Sequence, residues 1–181
     1  MLHFIKHLLQ LIISPTNGWE DISHKGSDAK RLASEGLYPL LGIAAISTFI
    51  RFFYDNDLTL TSLIQQSIVV FVQFFVTYFI ALFTFSLHLG KLIEGEINEK
   101  RSMTYITYSI AVLAFIKIIE NCIPINFSLM EFLPIYAAII MWRGDRYMAV
   151  KKEKQGFFIT LFIFSIIVPP YLINYLFNLV F

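Results

Sequence analysis

Charge is what this sequence has least of. Asp, Glu, Lys and Arg make up only 15% of its 181 residues, whereas an ordinary soluble domain has about 25%. Hydrophobic residues make up 57% and aromatic residues 17%. The net charge is only +1, so composition gives no reason to expect a nucleic acid as a partner. It predicts an integral membrane protein.

Cysteine is almost missing as well. The single Cys122 excludes an internal disulfide and a cysteine cluster around a metal. His3 and His7 have the i, i+4 spacing of two metal ligands on a helix, but no third ligand lies nearby in the sequence. The chain also has neither a Gly-rich phosphate loop nor a nucleophile beside a local base. We therefore predict a protein that is not an enzyme and that uses no metal and no cofactor.

Long uncharged runs separated by clusters of charge define the organisation of the chain. A transmembrane helix needs about 20 mainly apolar residues to cross the hydrocarbon of a bilayer. We predict an all-α fold, a single integral membrane domain over residues 1–181 with five transmembrane helices. The predicted spans are residues 37–53, 62–89, 104–119, 128–142 and 157–181.

The distribution of Lys and Arg predicts the orientation. With five spans, the N-terminal segment, the second loop and the fourth loop share one side of the membrane, and they hold four, three and five basic residues. Short loops rich in Lys and Arg stay in the cytoplasm, so we expect a cytoplasmic N-terminus and an external C-terminus. A six-span alternative, with residues 1–13 as another span, is disfavoured because such a helix reaches only about 20 Å.

The first thirteen residues, MLHFIKHLLQLII, have the pattern of an amphipathic helix. Their polar residues follow the spacing i, i+3, i+4 and i+7, which places them on one face. This pattern predicts a helix that lies in the plane of the membrane surface. A cleaved signal peptide is the competing interpretation, but the polar face interrupts the apolar run and no small-x-small cleavage site follows. The polar residues are His3, Lys6, His7 and Gln10.

Ser14 and Pro15 are predicted to end this helix, because Pro donates no backbone hydrogen bond and disfavours helix in the residue before it. Trp19 follows shortly afterwards. We expect its ring to rest among lipid headgroups with its N–H in water.

Three short motifs occur in a fixed order along the chain. The first is SP-x-x-x-W-x-x-I, the second is RSMTYITYSIAV and the third is MWRGDRYMAVKKEKQGFFITLF. Together with the amphipathic lead and the five spans, they resemble the Yip family of membrane proteins, first known as partners of Rab-type GTPases and represented by a prokaryotic branch. The residues that carry the resemblance are Ser14, Pro15, Trp19, Ile22, Tyr108, Ser109, Gly144, Lys151, Lys152 and Lys154.

The resemblance implies a non-enzymatic membrane scaffold or adaptor that organises membrane proteins or lipids, here in the cytoplasmic membrane of a prokaryote. Its expected partners are the lipid bilayer and other membrane proteins, including further copies of itself. Lys151, Lys152 and Lys154 are placed to meet anionic headgroups, at about 1 kcal/mol per residue. The interaction candidates are Pro15, Trp19, Ile22, Gln73, Tyr108, Ser109, Gly144, Lys151, Lys152 and Lys154.

A small oligomeric transporter or channel is the alternative. Gln66, Gln73, Thr77 and Thr84 share one face of the second predicted span, although such a face is more typical of a packing seam joined by interhelical hydrogen bonds. Pro169 and Pro170 should kink the last span, and broken helices mark some transport sites. Ion pathways usually carry an ionisable group. None falls in the middle of a predicted span, so the scaffold interpretation is favoured.

Overall fold

The computed structural model describes residues 1–25, 28–95, 98–124 and 132–180. This part of the chain is helical apart from turns and one isolated antiparallel bridge, which confirms the predicted fold class. The helices are α1 (Leu2–Ile13), α2 (Pro15–Lys25), α3 (Ala29–Phe53), α4 (Leu60–Leu92), α5 (Glu99–Cys122), α6 (Leu133–Trp142) and α7 (Lys152–Leu179).

Four of these helices, α3, α4, α5 and α7, are long and apolar enough to cross a membrane. They correspond to the first, second, third and last predicted spans. The remaining predicted span, residues 128–142, lies partly outside the described residues, and its described part forms the ten-residue helix α6. Helix α5 is the central one, since 72% of its most apolar window is buried, against 39–44% for the other three.

Two of the spans contain a π turn just before a proline. In α3 the turn covers Ala33–Leu37 and precedes Pro39, and in α7 it covers Ile163–Ile167 and precedes Pro169 and Pro170. A proline ring clashes with the carbonyl four residues earlier and offers no N–H to it, and a π turn changes the helical register at that point. The helical chain therefore passes through the prolines instead of ending there.

Helices α1 and α2 form a tight hairpin. Helix α1 ends at Ile13 and α2 begins at Pro15, as the Ser14–Pro15 break predicts. A Cβ added at Gly18 would lie 2.6 Å from the Cα of Leu11, so the hairpin packs this closely only because residue 18 has no side chain.

The predicted polar face of α1 is only partly correct. His3 and Lys6 are exposed, but His7 is buried and its ring lies 6.5 Å from that of Tyr108 on α5. Gln10 is half-buried and donates a hydrogen bond to Asp21 of α2. The polar stripe was expected to face water, and part of it instead meets polar partners within the protein.

The three basic segments of the chain meet at one end of the bundle, which we call the basic end. The loop after α4 pairs with the loop before α7: Ile93 bridges Val150, and the Lys151 N–H donates to the carbonyl of Leu92 over 2.9 Å. Helix α2 joins them because Trp19 stacks on Tyr147, with ring centroids 5.2 Å apart. The end that contains Arg51 and Asn121 is called the opposite end.

Candidate functional site

An aromatic cluster forms the floor of the basic end. Trp19 of α2 stacks on Tyr105 of α5 with 5.1 Å between ring centroids, and it meets Tyr108 edge-on at 6.5 Å. Tyr147, in the loop after α6, covers the other side of the indole. Three separate parts of the chain are thereby held together by one ring.

The predicted position of Trp19 among lipid headgroups is wrong. Its side chain is only 2% exposed, and Nε1–H donates to the carbonyl of Ile140 over 2.8 Å. Carbonyls in the last turn of a helix lack backbone partners, and the last turn of α6 supplies this acceptor. The adjacent Met141 carbonyl accepts a hydrogen bond from the hydroxyl of Tyr105 over 2.9 Å. The protein thus satisfies the N–H that was expected to need water.

The same cluster explains why residue 144 is a glycine. A Cβ at this position would lie 2.5 Å from Cε2 of Tyr105 and 3.1 Å from Cε2 of Trp19. Such distances are far below ordinary van der Waals contact. The third motif therefore places a glycine where the backbone must run directly against two aromatic rings.

The motif residues are distributed around this cluster as follows. Pro15 starts α2, and Ile22, one turn beyond Trp19, is buried. Tyr108 also stacks on Phe4 of α1, with 5.0 Å between centroids, and Ser109 is fully buried on α5. The three motifs, far apart in sequence, therefore reach one region of the bundle.

The three lysines of the third motif lie at the basic end but do not line the cavity over the cluster. Lys152 and Lys154 are exposed, whereas Lys151 is half-buried beside the bridge between the two loops. Ala149, just before this bridge, has φ of 53°, a conformation uncommon for a residue with a side chain. The lysine segment is thus fixed at its start and extends outward from the bundle.

Three arginines that were not among the predicted interaction candidates surround a cavity of about 380 Å³ next to the cluster. Arg101 comes from the first turn of α5, Arg143 directly follows α6, and Arg146 lies in the loop that Gly144 begins. Trp19 and Tyr147 also line this cavity. In the sequence these arginines contribute only to the count of basic residues, because nothing local signals that they converge.

Tyr147 contributes no negative charge to this cavity near neutral pH. Burial raises the pKa of its hydroxyl above the ordinary value, with a hydrogen bond from Thr104 and the charge of Arg101 acting in the opposite direction. The Arg101 guanidinium lies over the Tyr147 ring, 5.9 Å from its centroid, a cation–π geometry. The ring therefore positions Arg101 without neutralising it.

Gln73, the remaining candidate, lies away from the basic end. It is buried and lines a small cavity with Lys117, Pro170 and Asn174. The interhelical hydrogen bonds predicted along its face are found only at Gln66, which accepts from Arg51 over 2.8 Å. Thr77 and Thr84 instead donate to carbonyls of their own helix, which is a common hydrogen bond of Thr inside helices.

A cavity of about 350 Å³, larger than the one beside Gln73, opens at the opposite end. Its cations are paired: Arg51 lies 3.2 Å from Asp55, and Lys117 lies 3.0 Å from Glu120. Five carboxamide side chains line the same space, those of Gln65, Gln66, Asn121, Asn174 and Asn178.

Among the described residues, no group of three or more His, Cys, Asp or Glu side chains could hold a metal ion. Comparison of the chain with protein-family models, with curated proteins and with solved structures found no match. The interpretation of the site therefore depends on its residues and their geometry.

Proposed function

We propose that this protein is a non-enzymatic membrane scaffold or adaptor of the Yip type, located in the cytoplasmic membrane of a prokaryote. The observation that carries the proposal is the convergence of Trp19, Tyr108 and Gly144 in one packed cluster. These residues come from the three motifs on which the resemblance to the Yip family was based. Motifs that meet in space are expected if they form one structural unit.

We also propose the five-span arrangement, with α6 in the fourth crossing. Helix α5 rises about 25 Å between Tyr105 and Cys122 at 1.5 Å per residue. The chain leaves α5 at Cys122, yet the Met141 carbonyl accepts a hydrogen bond from Tyr105 near the start of the same helix. Between Cys122 and Met141 the chain must return along most of the bundle. This return supports a crossing, and the positive-inside rule then places the basic end in the cytoplasm.

Helix α1 is proposed to lie in the membrane surface at this end. Its buried side packs against the bundle through Phe4, Leu8 and Leu11. Leu2 and Ile13 are more than 80% exposed, and apolar side chains presented outward by a short helix are suited to the boundary between headgroups and acyl chains. The lysine segment, which lies at the same end, would add electrostatic attraction to anionic lipids.

The adaptor proposal is tested by crosslinking the tagged protein in its native membrane and identifying the products by mass spectrometry. Three variants are compared with wild type: Lys151, Lys152 and Lys154 all changed to Gln; Leu2 and Ile13 both changed to Ser; and Lys91→Gln. The last removes one exposed positive charge from the end of α4, and it serves as the control. None of these changes touches the aromatic cluster.

A discrete partner that is lost in the lysine or the α1 variant, and retained in Lys91→Gln, is the expected result. It would also identify the surface that holds the partner. Recovery of the protein only with itself, in wild type and all variants, would contradict the adaptor function.

A transporter or channel remains a second candidate because two of its expected features lie together. Gln73 and the proline-broken part of α7 line one cavity, and the larger cavity of the opposite end shares Lys117 and Asn174 with it. The test is solute flux in liposomes with wild type and Gln73→Leu. Flux that disappears in this variant would favour transport over the adaptor function.

A further inference from the structure

We propose that the cavity among Arg101, Arg143 and Arg146 binds a terminal phosphate group, that is, a phosphate monoester. This inference goes beyond the adaptor function and does not depend on it. The ligand is defined by its chemistry, and two sources could supply it: the headgroup of an anionic lipid or a soluble phosphate compound.

The three cations of this cavity have no carboxylate partner among the described residues. Within the described parts of the chain, none of the three arginines forms an ion pair, although four other pairs are present. Asp145, the carboxylate between Arg143 and Arg146 in sequence, is occupied otherwise. Its Oδ2 accepts from the side chain of Gln155 over 2.9 Å, and its Oδ1 accepts from the Arg146 backbone N–H over 2.6 Å.

The local charge of the cavity suits a phosphate monoester. Three arginines and one glutamate, Glu20, line the cavity, so it carries a net formal charge of two positive units. Glu20 has only a weak contact with His24, at 4.0 Å, and lies on the exposed surface of α2. A phosphate monoester near neutral pH carries −1.5 to −2 charges. The charges of the cavity and of the proposed ligand therefore match.

The arrangement of the three guanidinium groups also suits a terminal phosphate. Each guanidinium presents a planar fork of donors that fits phosphate oxygens two at a time. Two of the forks come from the turn after α6 and the third comes from the start of α5, while Trp19 and Tyr147 form the floor of the cavity and Thr16 adds a hydroxyl. A terminal phosphate offers three oxygens to such a ring, whereas a phosphodiester offers only two that are unsubstituted.

The surroundings favour a lipid as the source. Trp142, next to Arg143 in sequence, is 46% exposed, and the Arg143 guanidinium lies 5.7 Å from its ring centroid. Exposed Trp residues at the end of a membrane bundle mark the level of the headgroups. The rim of the cavity would therefore lie where a lipid phosphate can enter it.

The experiment uses the full chain in nanodiscs of phosphatidylcholine. In the lipid arm, a minor fraction of either phosphatidic acid, a monoester, or phosphatidylserine, a diester, is added, and native mass spectrometry measures the lipid that stays bound. In the soluble arm, inorganic phosphate and glycerol 3-phosphate are titrated by calorimetry. The variants are Arg143→Gln and Arg146→Gln, and the control is the lysine variant Lys91→Gln. All three side chains are exposed at the basic end.

We expect phosphatidic acid to be retained in preference to phosphatidylserine. Loss of one guanidinium should weaken binding by about tenfold or more, whereas the lysine variant should bind within about twofold of wild type. Binding in the soluble arm alone, with the same dependence on arginine, would support the phosphate site and assign its source to a soluble compound.

Three results would overturn the proposal. The first is no binding in either arm. The second is equal retention of phosphatidylserine, which would show that the cavity does not recognise a terminal phosphate. The third is a loss of binding in the lysine variant as large as that in the arginine variants, which would mean that basic residues anywhere at this end attract anions. Thermal unfolding of each variant, expected within about 0.5 kcal/mol of wild type, distinguishes loss of the site from loss of the fold.

Discussion

The two ends of the bundle hold their positive charges in different ways. At the basic end, Arg101, Arg143 and Arg146 surround a cavity without an ion pair among the described residues, and aromatic rings contact the first two of them. At the opposite end, Arg51 and Lys117 each have a carboxylate within 3.2 Å. Paired cations are already compensated within the protein, whereas unpaired ones remain available to a ligand.

The packing beneath each cavity differs as well. The basic end is supported by stacked aromatic rings and by a glycine pressed against them. The opposite end is held by hydrogen bonds between polar groups: the Asn121 amide donates to the hydroxyl of Ser47 over 2.9 Å, and the Tyr54 hydroxyl donates to the Asn121 carbonyl over 2.7 Å. Stacked aromatic rings suit a site that must keep several cations close together, because a ring face can hold a guanidinium by a cation–π contact while its N–H donors stay available to a ligand.

Removing Trp19 should have the largest effect on this comparison. Trp19→Ala leaves a void between Tyr105 and Tyr147 and an unpartnered Ile140 carbonyl, so we expect a loss of about 3–5 kcal/mol in the free energy of unfolding. Trp142→Ala, at an exposed indole, is the matched control and should cost less than about 1 kcal/mol. Denaturant titration in micelles measures both. Similar costs for the two variants would show that the cluster does not support the basic end.

Gly144→Ala should have the next largest effect. The added methyl group would overlap Tyr105 and press on Trp19, and overpacking of this kind costs about 1–3 kcal/mol. Gly156→Ala is the control: a Cβ there has no neighbour within 4 Å, and replacing Gly within a helix stabilises by up to about 1 kcal/mol. Thermal unfolding should therefore show a loss of stability in Gly144→Ala and a gain or no loss in Gly156→Ala. Unchanged stability in Gly144→Ala would mean that the rings move aside easily.

Much of the fold can be predicted from the sequence, since hydropathy and proline placement are local signals. Four predicted spans and the Ser14–Pro15 break agree with the structure. The pattern could not predict that His7 and Trp19 are buried, because their partners on α5 and α6 lie about 100 or more residues further along the chain. Local polarity correctly indicates that a group needs a partner, but it does not indicate whether that partner is water or protein.

The candidate site could likewise be predicted only in part from the sequence. Three of the quoted motif residues, Trp19, Tyr108 and Gly144, meet in space, whereas Gln73 lies apart from them. Arg101, Arg143 and Arg146 were counted only toward orientation, because a long-range fold is needed to bring them around one cavity. Sequence therefore indicates which end is charged, while the structure separates the cations that surround a cavity from those that extend outward.

Alkaline pH provides a way to examine the aromatic floor. Because burial raises the pKa of Tyr147, the folded protein keeps the phenol proton at a pH where the unfolded chain, with an ordinary pKa of about 10, loses it. The stability contributed by this proton is complete below pH 10 and is lost as the pH rises through the folded pKa, by at most about 1.4 kcal/mol per pH unit. Tyr147→Phe should reduce the slope of stability against pH above 10. An unchanged slope would mean that the hydroxyl is not effectively buried.

The smallest effect, the coupling within the Lys117–Glu120 pair, distinguishes the two ends most directly. The two side chains are 32% and 29% exposed, and pairs open to this extent contribute about 0.2–1 kcal/mol. A double-mutant cycle with Lys117→Gln and Glu120→Gln should recover a coupling in that range, whereas the same cycle with Arg143→Gln and Glu20→Gln should give a coupling near zero. Added salt should weaken the first coupling, because exposed charges are screened. A coupling between Arg143 and Glu20 as large as that of the paired end would mean that Glu20 already compensates the arginines. The cavity at the basic end would then be neutralised within the protein, like the one at the opposite end.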